Sequence, residues 1–342
     1  MSDAADRDQT PSERSAPGTI RESGLIAWIR RTVSEVGPGL FVILGAEFLV
    51  FWRLGHPHFI QTSNFIAIGK RMAINGITAV GETIVIISGG FDLSIGSIAA
   101  MAGVGSAAVV ENGGTLLGSI LTALAIGAFI GLVNGAITGY GRINPFITTL
   151  GTLAIVRGVA FVLTNNRQVT VSHEGFQNLG KDTVGGMPYS VLILLLTFIF
   201  FGFIVPRYRF GRYMYAIGSN ERAAALAGVR INRWKLVFFG VSGMLAGLTG
   251  FVNAFQLATG IPSGTTGIEL EVITAVILGG ASLYGGRGRL LGTFLGLMFL
   301  STLLNGLILS GVSPFYQKIA SGSSLILAVL FDEWRRRRLA RG

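Results

Sequence analysis

No cysteine occurs in the 342 residues, histidine occurs three times, and charged side chains make up only 13% of the chain. The first absence excludes a disulfide framework, thiol redox chemistry and any cysteine-based zinc site. The scarcity of charge excludes an ordinary water-soluble domain, in which roughly 25% of residues are charged. A phosphate loop of the form G-x-x-x-x-G-K-[ST] is also missing, and Gly286-Arg287-Gly288-Arg289-Leu290-Leu291-Gly292 misses the spacing of G-x-G-x-x-G. The chain therefore has no motif of its own for hydrolysing ATP, and neither a cofactor nor a metal is expected in it.

What is present points to a bilayer. Half of the residues are apolar and the mean hydropathy is +0.62. Glycine, at 50 residues, is abundant in the way of membrane helices whose backbones approach closely. The net charge of +10 does not imply nucleic acid, because the basic residues sit at the ends of apolar runs and not on one amphipathic face.

A helix needs about 20 residues to cross a bilayer core of about 30 Å. About ten apolar runs approach that length, near 38–54, 65–88, 94–110, 115–139, 145–164, 189–205, 236–256, 269–284, 290–310 and 315–332. The run at 269–284 is the shortest. With the N-terminus inside, most of the 27 Lys and Arg fall in cytosolic segments, so the positive-inside rule places both termini in the cytosol. The expected architecture is all-α: a polytopic membrane helical bundle of about ten transmembrane helices in direct contact with lipid. It comprises a polar cytosolic tail over 1–36, a membrane domain over 37–334 with a long basic inner loop at 207–235, and a basic cytosolic tail over 335–342. A second long loop, at 165–188, faces outward.

Glycine pairs four apart, Gly127/Gly131, Gly131/Gly135, Gly243/Gly247 and Gly292/Gly296, predict packing seams. One ungapped shift aligns Ile77–Val80 with Ile273–Val276, and Gly89, Gly90 and Gly96 with Gly285, Gly286 and Gly292. Both stretches would run in the same direction through the bilayer, so the relation would be a parallel one.

Ionisable groups inside apolar runs are costly and are functional candidates by default. Glu47 and Glu82 are two such carboxylates; each could face a polar path or make a structural bond to a neighbouring helix. Asn134 and Asn253 leave the same alternatives open. Arg157, in the middle of a run, demands a carboxylate, a wet cavity or a route to the interface. Asp92 comes after the Gly89-Gly90 break and can cap the helix that begins beyond it. Gly240-Val241-Ser242-Gly243 matches the surroundings of an intramembrane protease nucleophile, but His56, His58 and His173 all fall outside the runs, so no base is at hand.

In the inner loop, Ser219-Asn220-Glu221-Arg222 can open a short helix, Ala223–Ala227 favours one, and Gly228 can end it. Such a helix could press a small apolar knob into a partner's groove.

At Ser88-Gly-Gly-Phe-Asp-Leu-Ser-Ile-Gly-Ser97 the chain resembles the permeases of ribose-type ABC sugar importers. Asn144-Pro-Phe-Ile-Thr-Thr-Leu-Gly-Thr152, Ala216-Ile-Gly-Ser-Asn220, Ile277 to Gly280 and Gly285-Gly-Arg-Gly-Arg289 are similar to the same family, and the likeness runs from about residue 40 to 333. The resemblance implies a ten-helix subunit of the cytoplasmic membrane. It would pair with a second permease, dock cytosolic ATPase subunits that bind the ATP, and receive sugar from an extracytoplasmic binding protein. It also implies that Gly218, Asn220, Glu221, Ala223, Ala224 and Gly228 belong to the segment that couples to the ATPase. Two other readings stand beside it: an ion-coupled secondary carrier using Glu47 and Glu82, and a permease for branched-chain amino acids. Glu82, Asn134 and Asn253 are the candidates for the path; Asp92, Glu47 and Arg157 are the candidates for structural roles.

Overall fold

The computed structural model describes residues 38–53 and 58–339. The expected tail over 1–36 and His56 lie outside the described residues. Thirteen helices succeed one another among those residues: α1 (Pro38–Arg53), α2 (Thr62–Ile87), α3 (Ile95–Glu111), α4 (Leu116–Gly139), α5 (Pro145–Thr164), α6 (Glu174–Lys181), α7 (Tyr189–Arg207), α8 (Arg209–Ser219), α9 (Glu221–Leu226), α10 (Ile231–Leu257), α11 (Ile268–Leu278), α12 (Leu290–Leu309) and α13 (Pro314–Leu339). Four two-residue strands complete the set: β1 (Val169–Thr170), β2 (Thr183–Val184), β3 (Met187–Pro188) and β4 (Thr259–Gly260).

Each apolar run contains a helix. Five of them, α4, α5, α7, α10 and α12, are long and apolar enough to cross a membrane, and α3 is a shorter apolar helix. Large apolar side chains such as Phe129, Ile155, Val162, Leu196 and Ile199 stand exposed on α4, α5 and α7. In water they would form a sticky patch; against lipid they are the natural outer surface.

The centre of the molecule is α10, which packs against α2, α3 and α4. The predicted seams explain how. A Cβ on Gly127 would strike the carbonyl of Gly243, one on Gly131 the carbonyl of Phe239, and one on Gly247 the carbonyl of Ala123. Helices α4 and α10 thus lie backbone against backbone. The same device joins α3 to α10 at Gly103 and Gly250, and α11 to α12 at Gly279, Gly292 and Gly296.

Two features depart from the expected ruler of full-length spans. The run at 269–284 is helical only to Leu278, because Gly279, Gly280, Gly285, Gly286 and Gly288 interrupt the chain beyond that residue, the last four with positive φ. At 11 residues, α11 reaches about 16 Å, half a bilayer core. The chain before it, 258–267, is not helical, and its β4 pairs antiparallel with β1 of the 165–188 loop. That loop is itself built, from α6 and a β2–β3 hairpin turning at Gly185-Gly186. At the other end, α13 continues through residues 335–339 of the expected tail.

The aligned stretches meet in space. Gly89 and Gly285 both adopt positive φ, 85° and 81°, and lie side by side. Asn75 and Glu271, 196 positions apart, are hydrogen-bonded.

The α4–α10 seam generates a test. Gly243→Val is expected to cost about 3 kcal/mol or more, the upper range for overpacking, read as a lower melting temperature of the detergent-purified protein. Gly202→Ala, at a position with open space around it, is expected to leave the melting temperature unchanged.

Candidate functional site

Three polar constellations interrupt the apolar interior. The first lies at the α2–α3 break. Asp92 Oδ1 accepts from the backbone amide of Ser94 at 3.0 Å and from its hydroxyl at 2.5 Å, while Ser242 Oγ donates to Asp92 Oδ2 at 3.4 Å. The backbone amide of Asp92 donates to Glu82 Oε1 at 3.3 Å. Asn134 Nδ2 donates to Ser94 Oγ at 2.9 Å, and Thr152 Oγ1 donates to Asn134 Oδ1 at 2.7 Å. Glu82, Asp92, Ser94, Asn134 and Ser242 are all wholly buried. Asp92 therefore holds the turn that launches α3, and Asn134 ties that turn to α4 and α5. In this conformation neither Glu82 nor Asn134 faces an open path.

The second constellation surrounds the start of α11. Arg157, halfway along α5, donates to the carbonyls of Pro262 at 2.9 Å and Gly264 at 2.7 Å, with the Glu269 charge nearby. Thr265 takes a left-handed conformation, φ 56°, and its hydroxyl donates to the Gly96 carbonyl at 2.8 Å. A side chain on Gly96 would run into Glu269 Oε2. Glu269 Oε1 accepts from the Gly267 amide at 3.3 Å, and its buried Oε2 has no partner among the described residues. Asn253 of α10 adjoins Gly264. A half-length helix, a threonine in the left-handed region and a buried carboxylate oxygen without a partner among the described residues meet here.

The third lies just above. Arg71 and Glu271 form an ion pair at 3.5 Å with 33% and 24% of their side chains exposed, and Asn75 Nδ2 donates to Glu271 Oε2 at 2.8 Å. Arg71 is nine residues into α2, about 13 Å along the axis. Partly open polar groups so far along a helix are costly against hydrocarbon. Arg71, Asn75 and Glu271 form one polar stripe where α2 meets α11. Glu269 and Glu271 are not among the candidates read from the sequence; two acidic residues opening the shortest run are the available signal. Glu47 of α1 joins none of the three, and both of its carboxylate oxygens are buried without a partner among the described residues.

The inner loop contains α8 and α9. Asn220 caps α9 by accepting from the Ala223 amide at 3.0 Å, and Gly228, at φ 83°, closes it. Lys235 Nζ pairs with Glu221 at 2.8 Å. Ala224 faces inward, 5% exposed, whereas Leu226 is 91% exposed; the outward apolar knob is therefore Leu226 and not Ala224. Gly218 is wedged where a Cβ would meet the Ile87 carbonyl and the Gly286 amide, and Tyr215 Oη donates to the Gly288 carbonyl at 2.7 Å. The loop is thus seated on the C-terminal end of α2 and on the chain after α11.

The family described as "Branched-chain amino acid transport system / permease component" matches residues 64–329. The chain belongs to this permease family. Among individual relatives, the ribose import permease of Escherichia coli strain K12 is 39% identical over 282 residues, 81% of this chain and 87% of the relative. That of Bacillus subtilis strain 168 is 36% identical over 304 residues, 88% and 93%. The L-arabinose transport system permease of E. coli K12 is 35% identical over 299 residues, 87% and 91%. No solved structure matches the chain. The resemblance read at Ser88–Ser97 to ribose-type permeases holds, and this permease is a multi-pass membrane protein.

The α11 start generates a double-mutant test. Arg157→Ala strands the two carbonyls and removes the positive charge that acts on Glu269. It is expected to lower the melting temperature, and Glu269→Gln added to it is expected to recover part of the loss, with a coupling of about 1 kcal/mol.

Proposed function

We propose that this permease conducts a sugar, in the size range of a monosaccharide, across the cytoplasmic membrane as the transport subunit of an ATP-binding-cassette importer. The observation that carries the reading is the polar stripe of Arg71, Asn75 and Glu271 at membrane depth. Guanidinium, amide and carboxylate groups are what sugar hydroxyls exchange for water, and the curated relatives are named for ribose and arabinose. In this reading the ten helices α1–α5, α7 and α10–α13 are the spans, with both termini in the cytosol, as the distribution of Lys and Arg suggests.

The stripe faces a second permease subunit, so that the water-filled path runs between the two. Asn253 lines its outer part. The Glu82, Asp92 and Asn134 network frames the path from behind without touching the sugar.

The ATPase subunits dock on the cytosolic segment that includes α9, with Leu226 as the exposed knob and Asn220, Glu221, Ala223 and Gly228 shaping the helix. Movement there reaches the membrane through Gly218, which has no slack against Ile87 and Gly286. ATP is bound and hydrolysed by those subunits, and an extracytoplasmic binding protein delivers the sugar to the outer face built by α6 and β1.

Reconstitution of the permease with the ATPase and binding protein of its own system tests this. ATP-dependent uptake of D-ribose or L-arabinose is expected, and Glu271→Gln is expected to lower it about tenfold, the loss of a charged hydrogen bond, while ATP hydrolysis continues. Uptake of L-leucine in their place would hand the path to a branched-chain amino acid. Leu226→Asp is expected to release the ATPase subunits from the purified permease without changing its melting temperature; retention would move the docking point elsewhere.

A further inference from the structure

Away from the path, a cleft of about 350 Å³ opens between α8 and the first turns of α10, lined by Tyr213, Val229, Arg230, Arg233, Trp234 and Val237. Its depth in the membrane is set by length. Helix α10 has 27 residues, about 40 Å, against a hydrocarbon core of about 30 Å. The excess falls at its start, where the Lys- and Arg-rich stretch 207–235 leads in, and its first turns lie in the headgroup layer. Trp234 and Tyr213, edge to face at 5.0 Å between centroids, are the residue types that settle at that level.

The charges in the cleft are unbalanced. No carboxylate lines it, and the guanidiniums of Arg230 and Arg233 have no hydrogen-bonding or ionic partner among the described residues, whereas nearby Lys235 is paired with Glu221. Two free guanidiniums suit a phosphate, which they can grip through paired N–H groups. The rest of the cleft suits what is attached to such a phosphate in a membrane. Val229 and the rings give apolar walls, and Val237, 38% exposed on the next turn of α10, leads down the helix towards the core.

We propose that this cleft holds the phosphate of an anionic phospholipid, with the two arginines on the headgroup and the acyl chains descending past Val237. Basic pockets on membrane helices at the inner leaflet take headgroups of this kind. The site is separate from the polar stripe and does not rest on the nature of the transported solute.

The test uses the full-length permease, delipidated and returned to nanodiscs or to detergent with phosphatidylglycerol or phosphatidylcholine, and read by native mass spectrometry. Wild type is expected to retain phosphatidylglycerol over phosphatidylcholine, and Arg230→Gln/Arg233→Gln is expected to weaken that retention at least about tenfold. Arg209→Gln/Arg212→Gln removes equal charge from neighbouring exposed positions outside the cleft and is expected to change nothing. Melting temperatures in phosphatidylcholine confirm that both variants are folded.

Equal retention by wild type and the cleft variant, or equal loss in both variants, overturns the proposal. Displacement of the lipid by millimolar inorganic phosphate assigns the cleft to a free anion and overturns the lipid. If the cleft variant sheds its ATPase subunits while keeping its phosphatidylglycerol, the surface is a protein dock and the proposal falls.

Discussion

The rest of the structure depends on the direct contact of main chain with main chain along α10. Where lipid surrounds a bundle, burial of apolar surface no longer drives helices together, and close packing has to do so. Here the closeness is extreme: Gly127 and Gly131 on α4, Gly243 and Gly247 on α10, and Gly103 and Gly250 between α3 and α10 leave no room for a single methyl group. Only a rigid centre of this kind can carry half-length helices and buried polar turns without the assembly losing its register.

That rigidity explains why the polar groups are sorted as they are. The Glu82, Asp92 and Asn134 network is closed off at every one of these residues, and it fixes the start of α3. The groups that remain partly open, Arg71, Glu271 and Glu269, stand on α2 and α11. A single material thus provides both a frame and a polar face. The division depends on burial and not on residue type, since carboxylates occur in both.

Much of this architecture is legible in the amino-acid order alone, and the reasons differ by element. The helices are legible because hydropathy acts over many residues at once. The α9 helix is legible from local chemistry, a side-chain cap at Asn220 and a left-handed glycine at Gly228. The seams are legible because a spacing of four between glycines marks one face of a helix. Anything that depends on partners distant in sequence stays hidden. Arg157 finds carbonyls more than a hundred positions away, and Ala224 turns inward although its neighbours look the same in composition. The early end of α11 is partly visible in the glycines after Leu278, but a run counted only by its apolar content hides them.

The ladder between β1 and β4 has a mechanical meaning of its own. Val169 pairs with Gly260 and Thr170 with Thr259, so the 165–188 loop and the stretch leading to Thr265 share main-chain hydrogen bonds. A load applied to that loop travels along covalent backbone to the Thr265 bend and on to Glu269. The loop and the start of α11 are thus joined by a tether only a few residues long, and displacement of one end is felt at the other without a chain of side chains to relay it.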